Sequence, residues 1–234
     1  MQSKVYGPGI VRSIQDHWTR EAGEVLGISP QNLGVFFDDF NKTATTADID
    51  GWLSGVANTG AASFPTTLKG GVVQLTTGAT ASSEMQIYGV ENTTHTPVSN
   101  KFYFACRTKI TTATDAVAIC TSGLREAGTN SSIVVGFIGA LDASNFVIAI
   151  DGLRGAATAT SMGVAKDTAW HTWEIWSPAN GTYKARVDGG SVVSVTPAAA
   201  PTASMFLNHE VLNGATAAAR TMQVDWTILA HDRE

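Results

Sequence analysis

The chain has 234 residues, a formal net charge of -5 at pH 7 and a sequence pI near 5.5, with only 15% of its residues charged. That length suffices for a full hydrophobic core, and a single all-β domain commonly reaches it. The acidic balance, with no two basic residues adjacent, excludes the clustered cations of a nucleic-acid surface.

The pattern divides the chain into an N-terminal arm, residues 1–32, and a β-sandwich domain, residues 33–234. The first stretch, MQSKVYGPGIVRSIQDHW, lacks the apolar core of a signal peptide, and no window is long enough to cross a bilayer. These features predict a soluble protein made in a cytoplasm, with no membrane partner. After Gly7-Pro8-Gly9, apolar residues recur at Ile10, Ile14, Trp18 and Val25, with Val11 and Ala22 near the same stripe. This is the spacing of a short amphipathic helix ended by Gly27 and Pro30. Such a stripe needs a surface to cover, in its own domain or on a partner.

From Gly34 onward the pattern changes to short strands: GVFFDDF, WLSGV, GGVVQLTT and MQIYGV. KFYFACRTKI places Phe102, Phe104, Cys106 and Ile110 on one face, and Tyr103, Arg107 and Lys109 on the other. With AVAICTSGL it reads as a hairpin across TTATDA. SSIVVGFIGAL and NFVIAIDGL are apolar on both faces, as central strands are. Trp170 to Thr196 reads as three antiparallel strands whose turns are marked by Asn180-Gly181 and Asp188-Gly189-Gly190. SMFLNHEVL and TMQVDWTILA complete about a dozen strands. Cys106 and Cys120 fall on neighbouring strands, where either a disulfide or two buried free thiols is consistent with the spacing.

FFDDF, FYFACRTKI, WHTWEIW, VDGG and the terminal VDW, in this order, resemble the concanavalin A-like lectin and glucanase superfamily, including laminin-G-like domains, over about residues 34–230. The resemblance implies an all-β jelly-roll sandwich of two antiparallel sheets, one concave and one convex, with the first and last strands adjacent. It implies no particular activity, since this fold hosts enzymes, lectins and structural modules. Its enzymes carry a Glu-x-Asp-x-x-Glu strand on the concave face, because glycosidic cleavage by retention needs two carboxyl groups about 5 Å apart. Here Ser131 to Phe137 contains no acid, Asp151 sits in an Asp-Gly pair, and Glu174 has no acid partner at strand spacing. The expectation is a protein without catalytic residues.

Trp170, Trp173 and Trp176 are the aromatic candidates for stacking on a sugar, with Trp170 and Trp176 on one face of their strand. In several enzymes of the superfamily an aspartate of the last strand helps hold a structural calcium. Asp225 matches it, with Asp38 and Asp39 across the seam, although hydrogen-bonded strand aspartates account for the same pattern. The five histidines share no metal-ligand spacing. No metal or cofactor is therefore expected. Sandwiches of this kind occur as bacteriophage capsid decoration proteins. The leading expectation is such a protein on the virion surface, docked on the major capsid protein as a dimer or trimer. The alternative is a carbohydrate-binding module using the concave face.

Overall fold

The computed structural model describes residues 8–40, 52–65, 71–89, 101–111, 118–126, 132–150, 158–178, 181–197, 201 and 204–232. In chain order its elements are α1 (Pro8–Leu26), a 3-10 turn (Pro30–Asn32), β1 (Leu33–Asp38), β2 (Trp52–Ala57), β3 (Gly60–Ser63), β4 (Val73–Thr77), β5 (Glu84–Gly89), β6 (Phe102–Ile110), β7 (Ile119–Glu126) and β8 (Ser132–Ile138). There follow β9 (Asn145–Ile150), β10 (Thr158–Ala165), β11 (Trp170–Ser177), β12 (Tyr183–Val187), β13 (Val193–Val195), β14 (Met205–Leu212) and β15 (Thr221–Asp232).

Two antiparallel sheets form a jelly-roll sandwich. The eight-stranded sheet runs β13-β12-β11-β6-β15-β4-β3, with β1 also paired to β15. The seven-stranded sheet runs β10-β9-β8-β7-β14-β5-β2. First and last strands are adjacent, in register from Leu33 opposite Asp232 to Asp38 opposite Thr227. The three strands of the meander form: Asp188 and Gly189 have φ of 50° and 67°, the paired positive values of a tight β-turn closed by Gly190 N–H to Val187 O, while Asn180 of the other turn lies outside the described residues. Tyr183, Ala185 and Val187 face the core, and Lys184 and Arg186 face away.

One expected hairpin is absent. β6 and β7 lie in different sheets and face each other across the core, where Phe104 and Cys106 meet the layer holding Cys120 and Leu124. An inward-facing apolar alternation looks the same in sequence whether the next strand pairs beside it or packs opposite it. Both cysteines are free and buried. Burial pushes both thiols up, that of Cys120 to about 12.

The helix packs on its own domain. It ends in paired bonds, Ile28 N–H to Gly23 O and Gly27 N–H to Glu24 O, with Gly27 at φ 65°: a Schellman stop. Trp18, Ala22, Val25 and Leu26 cover the outer face of the eight-stranded sheet at Tyr103, Ala105, Trp176, Trp226, Ile228 and Ala230. Ile10, Val11 and Ile14 belong to the same predicted stripe, but their side chains lie outside the described residues. A bulge in β15 between Val224 and Trp226 makes this face possible. Before it Met222 and Val224 point into the sandwich; after it the parity flips, and Trp226 and Ile228 point out beneath α1.

Candidate functional site

The structure places the three sequence-selected tryptophans away from any common platform. Trp173 is core, 2% exposed, with Nε1–H donating to Thr108 Oγ1 at 2.7 Å. Trp176 is buried in the cluster under α1. Trp170 is half-buried on that same outer face, capped by the Arg107 guanidinium 5.1 Å from its ring centroid. Arg107 also donates to Asp225 Oδ2 at 2.7 Å. Asp38 accepts from Phe40 N–H at 2.7 Å and from Trp52 Nε1–H at 2.8 Å. Asp225 and Asp38 therefore act as hydrogen-bonded strand aspartates, and among the described residues no three His, Cys, Asp or Glu side chains converge on a metal position.

Glu174 is a structural anchor. Only 2% exposed, it accepts from Tyr103 Oη at 2.7 Å and from both Nε and Nη2 of Arg186 at 2.6 Å. Arg186 Nη2 continues to Glu21 on α1, tying helix to sheet through a charged chain. Burial, then the Glu174 charge, raises the Tyr103 hydroxyl far above its usual range. Beside this chain, a shallow cavity of about 380 Å³ is lined by Trp18, Thr172 and Asp188 among others. At the far end of β11, His171 bridges Asp188 (2.6 Å) and Asp167 (2.9 Å). Burial works against its charge, but the two carboxylates outweigh burial and raise its pKa. Asp151 lies outside the described residues.

The notable chemistry lies on the outer face of the seven-stranded sheet. Register builds it in rows. One row reads Leu53, Tyr88, Asn208, Gly123, Val134 across β2, β5, β14, β7 and β8; the next reads Gly55, Gln86, Glu210, Thr121, Gly136. Arg125 and Phe206 are paired one step further along. Arg125 Nη1 donates to Gln86 Oε1 at 2.8 Å and to Glu210 Oε2 at 2.9 Å, with Glu84 Oε1 at 3.8 Å. The Tyr88 and Phe206 rings, both half-buried, stand 5.2 Å apart.

Within this patch some polar atoms have no partner. Asn208 is 0% exposed and neither its Oδ1 nor its Nδ2 is hydrogen-bonded; Thr121, 1% exposed, has an unbonded Oγ1. Buried groups left so cost about 1–3 kcal/mol each, and a fold tolerates them chiefly where they meet something else. Two positions beside them carry no side chain. Gly123 and Gly136 have φ of 153° and 138°, and a Cβ on either would come within 2.2 Å of a carbonyl oxygen of the adjacent strand. Glycine is therefore required at both, and no side chain stands between Asn208 and Val134 in their row.

No family model matches the sequence, and no curated protein matches it. Solved structures do. A protein of unknown function from Shewanella oneidensis MR-1 is similar with a TM-score of 0.61 at 15% identity, covering 86% of this chain and 87% of that one. The CBM2 module of the evolved Dit of Lactobacillus casei BL23 phage J-1 gives a TM-score of 0.57 at 14% identity, over 87% and 98%. Peanut lectin gives 0.56 at 8% identity, over 85% and 97%. The fold is a concanavalin A-like jelly roll. At these identities the likeness establishes architecture and leaves the site to be read from its own residues.

The sequence reading singled out none of Glu84, Gln86, Tyr88, Thr121, Arg125, Phe206, Asn208 and Glu210. A signal was present in SMFLNHEVL, where Phe206, Asn208 and Glu210 alternate onto one face while Leu207, His209 and Val211 take the other. His209 obscures it, because a polar residue among the inward-facing positions blurs the contrast between the two faces of the strand.

Proposed function

We propose that the protein binds carbohydrate on the outer face of the seven-stranded sheet. The observation that carries this reading is the pair of half-buried rings, Tyr88 and Phe206, 5.2 Å apart beside the polar cluster of Arg125, Gln86 and Glu210. Sugars are recognised by this combination: aromatic faces take the C–H faces of a pyranose, and fixed polar groups take its hydroxyls. The likenesses to a lectin and to a phage CBM2 module support it, as does the resemblance read from the sequence. Glu84 and Glu210 lie close together here, but both are committed to Arg125, which favours a binding role over hydrolysis.

The virion setting expected from the sequence fits this reading, since one similar structure is a phage module. The test is a glycan array probed with the wild type, with Tyr88→Ala/Phe206→Ala, and with Trp170→Ala. Binding by the wild type and by Trp170→Ala, lost in the double variant, supports the reading. Equal binding by all three, or no glycan bound by the wild type, refutes it.

A further inference from the structure

We infer that His171 is a proton-dependent clasp: doubly protonated, it ties the β10–β11 turn to the β12–β13 turn, and on losing one proton it releases the Asp167 arm. The clasp sits at an edge of the sandwich. β10 ends the seven-stranded sheet, β13 ends the eight-stranded one, and the two end strands touch. Asp167 follows β10 and Asp188 precedes β13, so a bridge between them closes the seam where the two layers meet.

The geometry requires a charged ring. His171 Nδ1 lies 2.6 Å from Asp188 Oδ2, and Nε2 lies 2.9 Å from Asp167 Oδ1. An ionised carboxylate only accepts, so both ring nitrogens donate, and only the imidazolium carries two N–H groups. The Ala169 N–H above all holds the Asp167 carboxyl below its usual range and keeps it ionised. Among the described residues, Asp167 and Asp188 are the charged groups that act on the ring. β9 and β11 pack Phe146 and Trp173 against it, with ring centroids 5.2 and 5.5 Å away, and neither exchanges a proton. Burial opposes the charge, but the two carboxylates outweigh burial.

Loss of a proton frees one arm and not the other. Neutral imidazole keeps a single N–H. That proton stays on Nδ1, where the hydrogen bond is the shorter of the two. Asp188 is fixed there independently, by Thr172 N–H to its Oδ1 at 2.8 Å and by its own N–H to Thr172 O at 2.9 Å. The Nε2 proton goes to water and leaves a lone pair facing Asp167 Oδ1. The Asp167 side chain, 52% exposed, then turns into solvent and loosens residues 166–169, while the β12–β13 turn holds its place.

The experiment titrates the nitrogen-15-labelled full chain from about pH 5 to about pH 9, following the His171 ring nitrogens and the backbone order parameters together. His171 is expected to titrate above 6.5, with Nδ1 the protonated nitrogen of the neutral form. Across that step the order parameters of Asp167, Thr168 and Ala169 fall from about 0.85 to below about 0.6, while those of Asp188, Gly189 and Gly190 hold. His171→Gln shows no such step, and Asp167→Asn lowers the His171 pKa.

Titration at or below the ordinary histidine value, a neutral ring protonated on Nε2, or unchanged order at residues 167–169 would each overturn the inference. So would the same step in His171→Gln. Should a variant fail to fold, the wild-type titration decides alone.

Discussion

His209 offers a prediction whose size can be worked from the structure. Its ring is fully buried on the inner face of β14, packed 5.4 Å from Trp52 and 6.0 Å from Phe40. Nδ1 is bonded to Ser122 Oγ at 2.8 Å, and Nε2 has no partner. Burial lowers its pKa from 6.5 to about 3, so the folded state holds it neutral through the mildly acidic range while the unfolded chain takes up a proton. The stability associated with neutral His209 is therefore complete above the unfolded pKa and is lost as pH falls toward the folded one. Between about pH 7 and about pH 4.5 the loss is roughly 3 kcal/mol, from two pH units at about 1.4 kcal/mol each.

The assay is urea unfolding of the wild type and of His209→Gln at both pH values. His171 titrates in the opposite sense. Its raised pKa contributes stability that is present below the unfolded value and fades as pH rises through the folded one. Because it is common to both proteins, it cancels in the comparison. The variant is expected to show an acid loss smaller by roughly 3 kcal/mol. An identical loss in both proteins would refute the argument from burial.

Removing Arg186 as Arg186→Ala strands the buried Glu174 carboxylate and is expected to cost about 3–5 kcal/mol in urea unfolding, whereas Glu21→Gln, which removes only the part-exposed arm of that network, should cost about 1 kcal/mol or less. Truncation of residues 1–26 bares the apolar strip of Tyr103, Trp176, Trp226 and Ile228; light scattering and dye binding should report self-association rather than a well-behaved monomer. Cys106 and Cys120, buried with raised pKa values, should be unreactive toward a thiol reagent in the native protein and both react after unfolding.

Much of the sandwich was legible because strand period and turn chemistry are local properties. The Asp188-Gly189 turn, the alternation of Tyr183, Ala185 and Val187, and the doubly apolar β8 and β9 each follow from a few consecutive residues. β10 was not foreseen: Thr158–Ala165 is built of small residues with a burial that does not alternate cleanly, so it carries no periodic signal. The bulge at Asp225 was equally hidden, since one extra residue reverses which side chains face α1 without altering composition.

The candidate site lay deeper still. Gln86, Arg125 and Glu210 come together only through the pairing of β5, β14 and β7, and register across strands so distant in sequence is a tertiary property. Tryptophans drew attention by size, yet two of the three proved to be burial devices, and the third is capped by an arginine.

The most direct test of sugar binding at this face is a proton–nitrogen NMR titration of the labelled full chain with a glycan selected on the array. The account predicts that the backbone signals of Tyr88 and Phe206 move most, with those of Gln86 and Arg125 following. A glycan that binds but shifts only residues around Trp170 and α1, leaving Tyr88 and Phe206 unmoved, would contradict it.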